Sequence, residues 1–344
     1  MSIINLIIIN FFKLFGLLGF DTARVIANNA FISPDIGFKT SVFRSIEIVR
    51  SCGWGFRKSL PISLVNHVDH SSPKVLNILG SGSSLTRLSE QENRWLSAKD
   101  TLTFNLSHLL NISPTYCLMQ MPLERLNGIE DDSELFWTQY SNLVTESVLG
   151  DIERFKESIF LLRSSTTIFA RTRKSFFEKT LIDNFKSTNI KHLRIVSIAT
   201  PFECAISDIC DRNKEHIGLN KSEFIVKLGS TLPLAIMTGV ALGYRKICLF
   251  GCDLLDSTHF YDDISFSSQF DGELRYPGIW NPNKDSIDLD LFTDKTIRKT
   301  TQLEDVMELA MWLVENCGVE VRIINRDTAF SGFLKTVDSS WYEE

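Results

Sequence analysis

The residues best suited to chemistry are Gly80, Ser81, Gly82, Ser83 and Ser84, which follow directly on an apolar run containing Val75, Leu76, Ile78 and Leu79. Near-continuous apolarity suits a parallel strand covered on both faces. A tight glycine turn after such a strand is how many nucleotide-phosphate sites begin. Gly80 and Gly82 are expected to take positive φ and bring the backbone close to a ligand. The hydroxyls of Ser81, Ser83 and Ser84 can then join backbone N–H groups in holding phosphate or ribose oxygens. An ordinary surface turn has the same composition. The segment is neither a P-loop nor a full dinucleotide fingerprint: no Gly-Lys-Ser/Thr follows, and Leu85 stands where a third glycine would permit close packing. Two other groupings have chemical character. Asp262 and Asp263 can hold Mg²⁺ as paired carboxylates. Cys248 and Cys252 straddle Leu-Phe-Gly in an apolar strand, a setting that fits core thiols better than a metal site.

Positioning these groups requires a sheet. Strands are expected near 75–80, 101–105, 115–121, 158–163, 193–198, 246–251 and 319–325, separated by helical or irregular stretches. That alternation is the signature of an α/β protein with a mostly parallel, Rossmann-like sheet and helices on both faces. A helix is expected over 231–243, with Ser230 or Thr231 able to cap it, Pro233 in its first turn and Gly243 ending it. Another is expected over 302–317, where Leu303, Val306, Met307, Ala310, Leu313 and Val314 recur at helical spacing. Residues 254–300, rich in Asp, Ser and aromatics, read as a long irregular lid or binding excursion. The corresponding division is an apolar helix over 1–22, a basic connecting segment over 23–73, a nucleotide-binding core over 74–253, the lid or acceptor loop over 254–300, and a C-terminal helix and strand over 301–344.

A chain of 344 residues, 44% hydrophobic and 23% charged, can bury a large core and exceeds one minimal domain. Its net charge of −6 argues against nucleic acid as the main partner while leaving room for a single nucleotide. Seven cysteines, several inside apolar strands, suit a reduced cytoplasmic compartment. Ile3 to Phe20 is apolar apart from Asn5, Asn10 and Lys13, and lacks the basic leader and cleavage site of a secretory signal. It is read as a helix lying on, or partly in, the inner face of the cytoplasmic membrane, with burial against the protein body as the alternative. Lys39, Arg44, Arg50, Arg57 and Lys58 would favour anionic lipid.

Three blocks, in order, resemble the bacterial CMP-sialic-acid-dependent sialyltransferases of the Campylobacter and Haemophilus lipooligosaccharide type. The first is Ile78 to Leu85, similar to that family's strand and turn. The second is Thr103-Phe104-Asn105. The third starts at Ser230-Thr231, continues through Ala241-Leu242-Gly243-Tyr244-Arg245, and runs along Ile247 to Gly251 and Asp253. The resemblance implies an inverting glycosyltransferase of lipopolysaccharide or capsule biosynthesis. It would move sialic acid or a Kdo-like sugar from a CMP-sugar donor to a glycan or lipid-linked oligosaccharide acceptor, with no cofactor and no metal requirement. The donor would be held by Gly80, Ser81, Gly82, Ser83, Ser84, Asn105, Gln120, Ser230, Thr231 and Asp253. The sugar carboxylate would meet the hydroxyls and free N–H groups at the helix start. Tyr261 matches one of two tyrosines that polarise the leaving phosphate.

The sequence also departs from that pattern. Leu255 falls where the second tyrosine is expected, Leu232 replaces a glycine of the helix start, and the turn asparagine has no counterpart. The stretch just before the last helix, Phe292 to Thr301, where the family keeps its general base, contains no histidine. His259 is the candidate base by residue type and loop position, with Asp253, Asp262 and Asp294 as alternatives. Two other readings stay open: an ATP- and Mg²⁺-dependent enzyme similar to archaeal pterin diphosphokinases or flagellin-modifying proteins, and an inactive binding protein on the same fold.

Overall fold

The computed structural model describes residues 75–104, 107–121, 146–164, 183–195, 197–199, 206–212, 214, 217, 225–227, 231–253, 295–324 and 328–343. Strands β1 (Val75–Leu79), β2 (Asp100–Phe104), β3 (Tyr116–Met121), β4 (Ile159–Ser164), β5 (Lys191–Ile195), β8 (Lys246–Phe250) and β9 (Glu320–Ile323) form a seven-stranded sheet in the order β5-β4-β3-β2-β1-β8-β9. Every pairing in it is parallel. Two short parallel strands, β6 (Ser197–Ala199) and β7 (Ile225–Lys227), make a separate ladder. The expected strand over 193–198 is therefore split between two sheets, and β7 is an element the sequence reading lacked.

Alternation along each strand feeds two cores. Leu76, Ile78, Leu102, Phe104, Leu118, Leu161, Ile247, Leu249 and Val321 face one side. Val75, Leu79, Cys117, Met119, Phe160, Cys248 and Phe250 face the other. Helices cover both sides, as a sheet buried on two faces requires. On the second face lie α1 (Glu90–Ala98), α2 (Ile152–Phe155) and, at the far end of the chain, α6 (Ser339–Glu343), through Leu96, Phe155, Trp341 and Tyr342. On the first lie α3 (Ile206–Arg212), α4 (Thr231–Ala241) and α5 (Lys295–Cys317).

Helix α1 starts with a reciprocal capping box between Ser89 and Glu92. Helix α4 is buried along Leu232–Ala241, as expected of a helix apolar all round. Gly239 lets it lie close on the sheet, because a Cβ there would stand 2.7 Å from Leu76 Cδ2. The helix ends on Gly243 at φ 96°, with Gly243 N–H donating to the Val240 carbonyl and Tyr244 N–H to that of Gly239. This pair of hydrogen bonds closes a helix on a left-handed glycine. Helix α5 begins at Lys295 and so extends into the stretch expected to be irregular. The expected apolar helix over 1–22, the segment 23–73 and nearly all of the lid over 254–300 lie outside the described residues. No helix among the described residues is long and apolar enough to cross a membrane.

Candidate functional site

The strand order reverses at β1. The chain proceeds outward through β2, β3, β4 and β5 on one side, and β8 and β9 lie on the other. Open α/β sheets bind ligands in the crevice at the carboxyl ends of the two strands flanking such a reversal. The glycine turn lies there, immediately after β1, and closes onto the end of β8. Gly80 N–H donates to the Phe250 carbonyl at 2.8 Å and Gly82 N–H to the Gly251 carbonyl at 2.7 Å. The Asp253 carboxylate accepts from Ser84 N–H at 2.9 Å and from the Ser84 hydroxyl at 2.5 Å. Both residues are buried. The Asp253 carbonyl in turn accepts from Ala329 N–H at 2.8 Å. One residue thus ties together the chain following β1, β8 and β9.

The glycines are needed here, but for a different reason from the one expected. Neither Gly80 nor Gly82 has positive φ; Gly82 is extended, at φ −71° and ψ 155°. What excludes a side chain is the approach of β8. A Cβ on Gly80 would stand 2.3 Å from the Gly251 carbonyl oxygen, and one on Gly82 would stand 2.3 Å from Asp253 Oδ2. The left-handed residue is Gly251, at φ 58°, with the Leu85 side chain filling the space over its Cα. Leu85 stands where a third glycine was missed, and it serves as a packing residue there.

The turn is largely spent on the fold. Of the five N–H groups from Gly80 to Ser84, those of Gly80, Gly82 and Ser84 are committed to β8 and its extension, and the Ser84 hydroxyl with them. Ser81 and Ser83, both half-buried, alternate with these inward-tied residues. Asp253 acts as a strut, because Ser84 engages both of its oxygens.

The other candidates sort by topology. Helix α4 leads into β8 and runs antiparallel to it. Its eleven residues rise about 16 Å and the five-residue strand about 17 Å, which puts half-buried Thr231 toward the carboxyl edge. Gln120 is the penultimate residue of β3, in register with Arg163, also at that edge. Asn105, Ser230, His259 and Tyr261 lie outside the described residues, as do Asp262, Asp263 and Asp294. Cys248 and Cys252 are fully buried. Burial pushes the Cys248 thiol up to about 12 and, with help from Asp253, raises that of Cys252 further, so both stay protonated.

Two residues of this edge had no signal in the sequence. Ser107, fully buried in the turn after β2, donates to the Leu79 carbonyl at 2.7 Å. His108 beside it is buried and pairs through Nε2 with Ser147 Oγ at 3.2 Å. The first role depends on which strands are neighbours and the second on where the helical turn carrying Ser147 packs, which is why residue type alone did not reveal them.

No protein-family model matches the chain, and no curated protein matches it either. Among solved structures, the neighbours are sialyltransferases. A structure of CstII from Campylobacter jejuni with the substrate analogue CMP-3FNeuAc shares 16% identity, over 77% of this chain and 87% of that one, at a TM-score of 0.41. A structure of CST-II with a trisaccharide acceptor and CMP shares 16% identity, over 77% and 86%, at a TM-score of 0.40.

Proposed function

We propose that this chain is an inverting glycosyltransferase that moves sialic acid or a Kdo-like acidic sugar from a CMP donor to a cell-surface glycan or its lipid-linked precursor. The observation that carries the reading is the convergence of the first and third sequence blocks at the point of strand reversal. The turn after β1 closes on Gly251 and Asp253 after β8, and the start of α4 lies toward the same edge. The committed N–H groups favour this donor over a nucleoside triphosphate. A triphosphate calls for a nest of several free N–H groups, whereas a CMP-sugar presents one phosphate and a carboxylate that can be held separately. Ser81 and Ser83 would meet the phosphate and ribose, and Thr231 the sugar carboxylate. Asn105 and Gln120 would add donor contacts.

In this reading His259 takes the acceptor hydroxyl's proton as that oxygen attacks the anomeric carbon, and Tyr261 steadies the leaving CMP phosphate. The apolar segment 3–20 would concentrate the enzyme at the cytoplasmic membrane face, where lipid-linked acceptors are assembled. Calorimetric titration with CMP and with ATP, beside transfer assays using CMP-sialic acid and CMP-Kdo with and without EDTA, tests the proposal. CMP binding and EDTA-resistant transfer are expected. Absence of CMP binding, or ATP turnover abolished by EDTA, would overturn it.

A further inference from the structure

We propose that Ser107 is a positioning residue for the candidate donor site: its hydroxyl holds the glycine turn against the end of β2 without touching the donor. The inference rests on the CMP-sugar reading only for its consequence for donor binding.

Ser107 Oγ lies 2.7 Å from the Leu79 carbonyl oxygen, 2.8 Å from the Phe104 carbonyl oxygen and 3.0 Å from the Phe104 N–H. Leu79 is the last residue of β1 and is bonded directly to Gly80, while Phe104 is the last residue of β2. A parallel sheet leaves unpaired backbone groups where its strands stop, and buried ones must find partners. One fully buried hydroxyl supplies them at both adjacent strand ends, accepting from the Phe104 amide and sharing its proton between the two carbonyls. The post itself is anchored, since the next residue, His108, is buried and bonded to Ser147. On the other side of β1, Asp253 ties the same turn to β8 through Ser84. The turn is therefore braced from two sides, and only the β8 brace was legible as part of a motif.

A matched control exists at the opposite edge of the sheet. Ser158 is equally buried and donates its hydroxyl to the Pro114 carbonyl at 2.5 Å, ahead of β4 and β3. Loss of either hydroxyl strips buried backbone groups of a partner, three at Ser107 and one at Ser158, so both variants lose stability and a thermal measurement does not locate the effect. The decisive readout is amide hydrogen exchange over residues 80–85, with CMP affinity measured beside it.

Ser107→Ala is expected to speed that exchange about tenfold and weaken CMP binding about tenfold, and Ser158→Ala to do neither while still lowering the unfolding temperature. Ser107→Cys, with nearly the same shape and a weak hydrogen bond, should fall between and keeps the test open if the alanine variant does not fold. Wild-type exchange over 80–85 in both Ser107 variants, or equal acceleration in Ser158→Ala, would overturn the inference. Acceleration specific to Ser107 in a protein that binds no CMP would support the positioning role and sink the CMP-sugar reading instead.

Discussion

The two edges of the sheet are built from different materials. At the amino edge, small hydroxyls such as that of Ser158 are joined by large side chains with polar ends. Tyr244 OH donates to Asp100 at 2.7 Å, the Trp341 indole N–H to Glu320 at 2.9 Å, and the Lys246 ammonium to the Trp341 carbonyl at 3.1 Å. Arg322 lies 5.2 Å over the Trp341 ring and is paired with Glu320 at 2.8 Å. At the carboxyl edge, the braces are the small hydroxyls of Ser84 and Ser107, the short carboxylate of Asp253, and glycines too close to β8 to carry a Cβ. Rings and long side chains close an edge by covering it. Small residues fix the backbone without adding bulk beyond the strand ends, which is what a ligand-binding edge needs.

The largest effect should follow from putting bulk where the carboxyl edge excludes it. Gly80→Ala drives a Cβ onto a backbone carbonyl that cannot rotate away, at 2.3 Å. A loss of about 3 kcal/mol is expected in denaturant unfolding, together with loss of nucleotide binding. A variant with wild-type stability would show that the turn does not press on β8. The sheet face under α1 and α6, away from the carboxyl edge, should answer differently. Tyr342→Phe removes the hydroxyl that donates to buried Asn77 at 2.7 Å and leaves the Asn77 oxygen unpaired. About 2 kcal/mol should be lost with CMP affinity unchanged. A fall in affinity would break the separation of the carboxyl edge from the rest of the sheet.

The strands were legible because sheet burial on both faces writes itself as short apolar runs, and β1, β3 and β8 stand within a residue of their expected bounds. The β6–β7 pair was not, since Ile225–Lys227 is three residues long and too short for a period to show. The first turns of α5 run Lys-Thr-Ile-Arg-Lys-Thr-Thr, with no apolar stripe to mark a helix. The Ser89–Glu92 capping box has the local spacing that marks a helix start in sequence. In the candidate site, the glycines at 80 and 82 were recognised as necessary, but their cause is the proximity of a strand 170 residues later, which no local pattern encodes. Ser107 was invisible for the same reason.

A finer separation is available at the start of α4. Thr231→Val keeps the shape of a half-buried side chain and removes only its hydroxyl. If that hydroxyl meets the donor's carboxylate, affinity for a CMP-sugar should fall about tenfold, while affinity for CMP itself, which lacks the carboxylate, stays the same. Equal losses for both ligands would move Thr231 from carboxylate recognition to support of the turn. Equal affinities in variant and wild type would remove it from the site.

The smallest effect, and the one that separates two carboxylates by sign, is a response to pH. Asp305 on α5 is raised from 3.8 to about 6, first by burial and then by Glu308 and Glu304. Glu320 at the amino edge is held below its usual 4.5; burial opposes this, but the Trp341 indole and the Arg322 guanidinium outweigh it. An acid with a raised folded-state value costs nothing below its unfolded value, and its penalty grows as the pH rises toward about 6. An acid with a lowered value contributes stability above its unfolded value and loses it as the pH falls through the folded one. Asp305→Asn should therefore raise the unfolding temperature at about pH 7.5 and leave it unchanged at about pH 3.5, whereas Glu320→Gln should lower it at about pH 7.5, with the deficit shrinking on acidification. Asp305 is partly open to solvent, so screening should reduce its gain and added salt reduce it further. Parallel pH profiles for the two variants would mean that neither environment acts on its carboxylate as the neighbouring groups require.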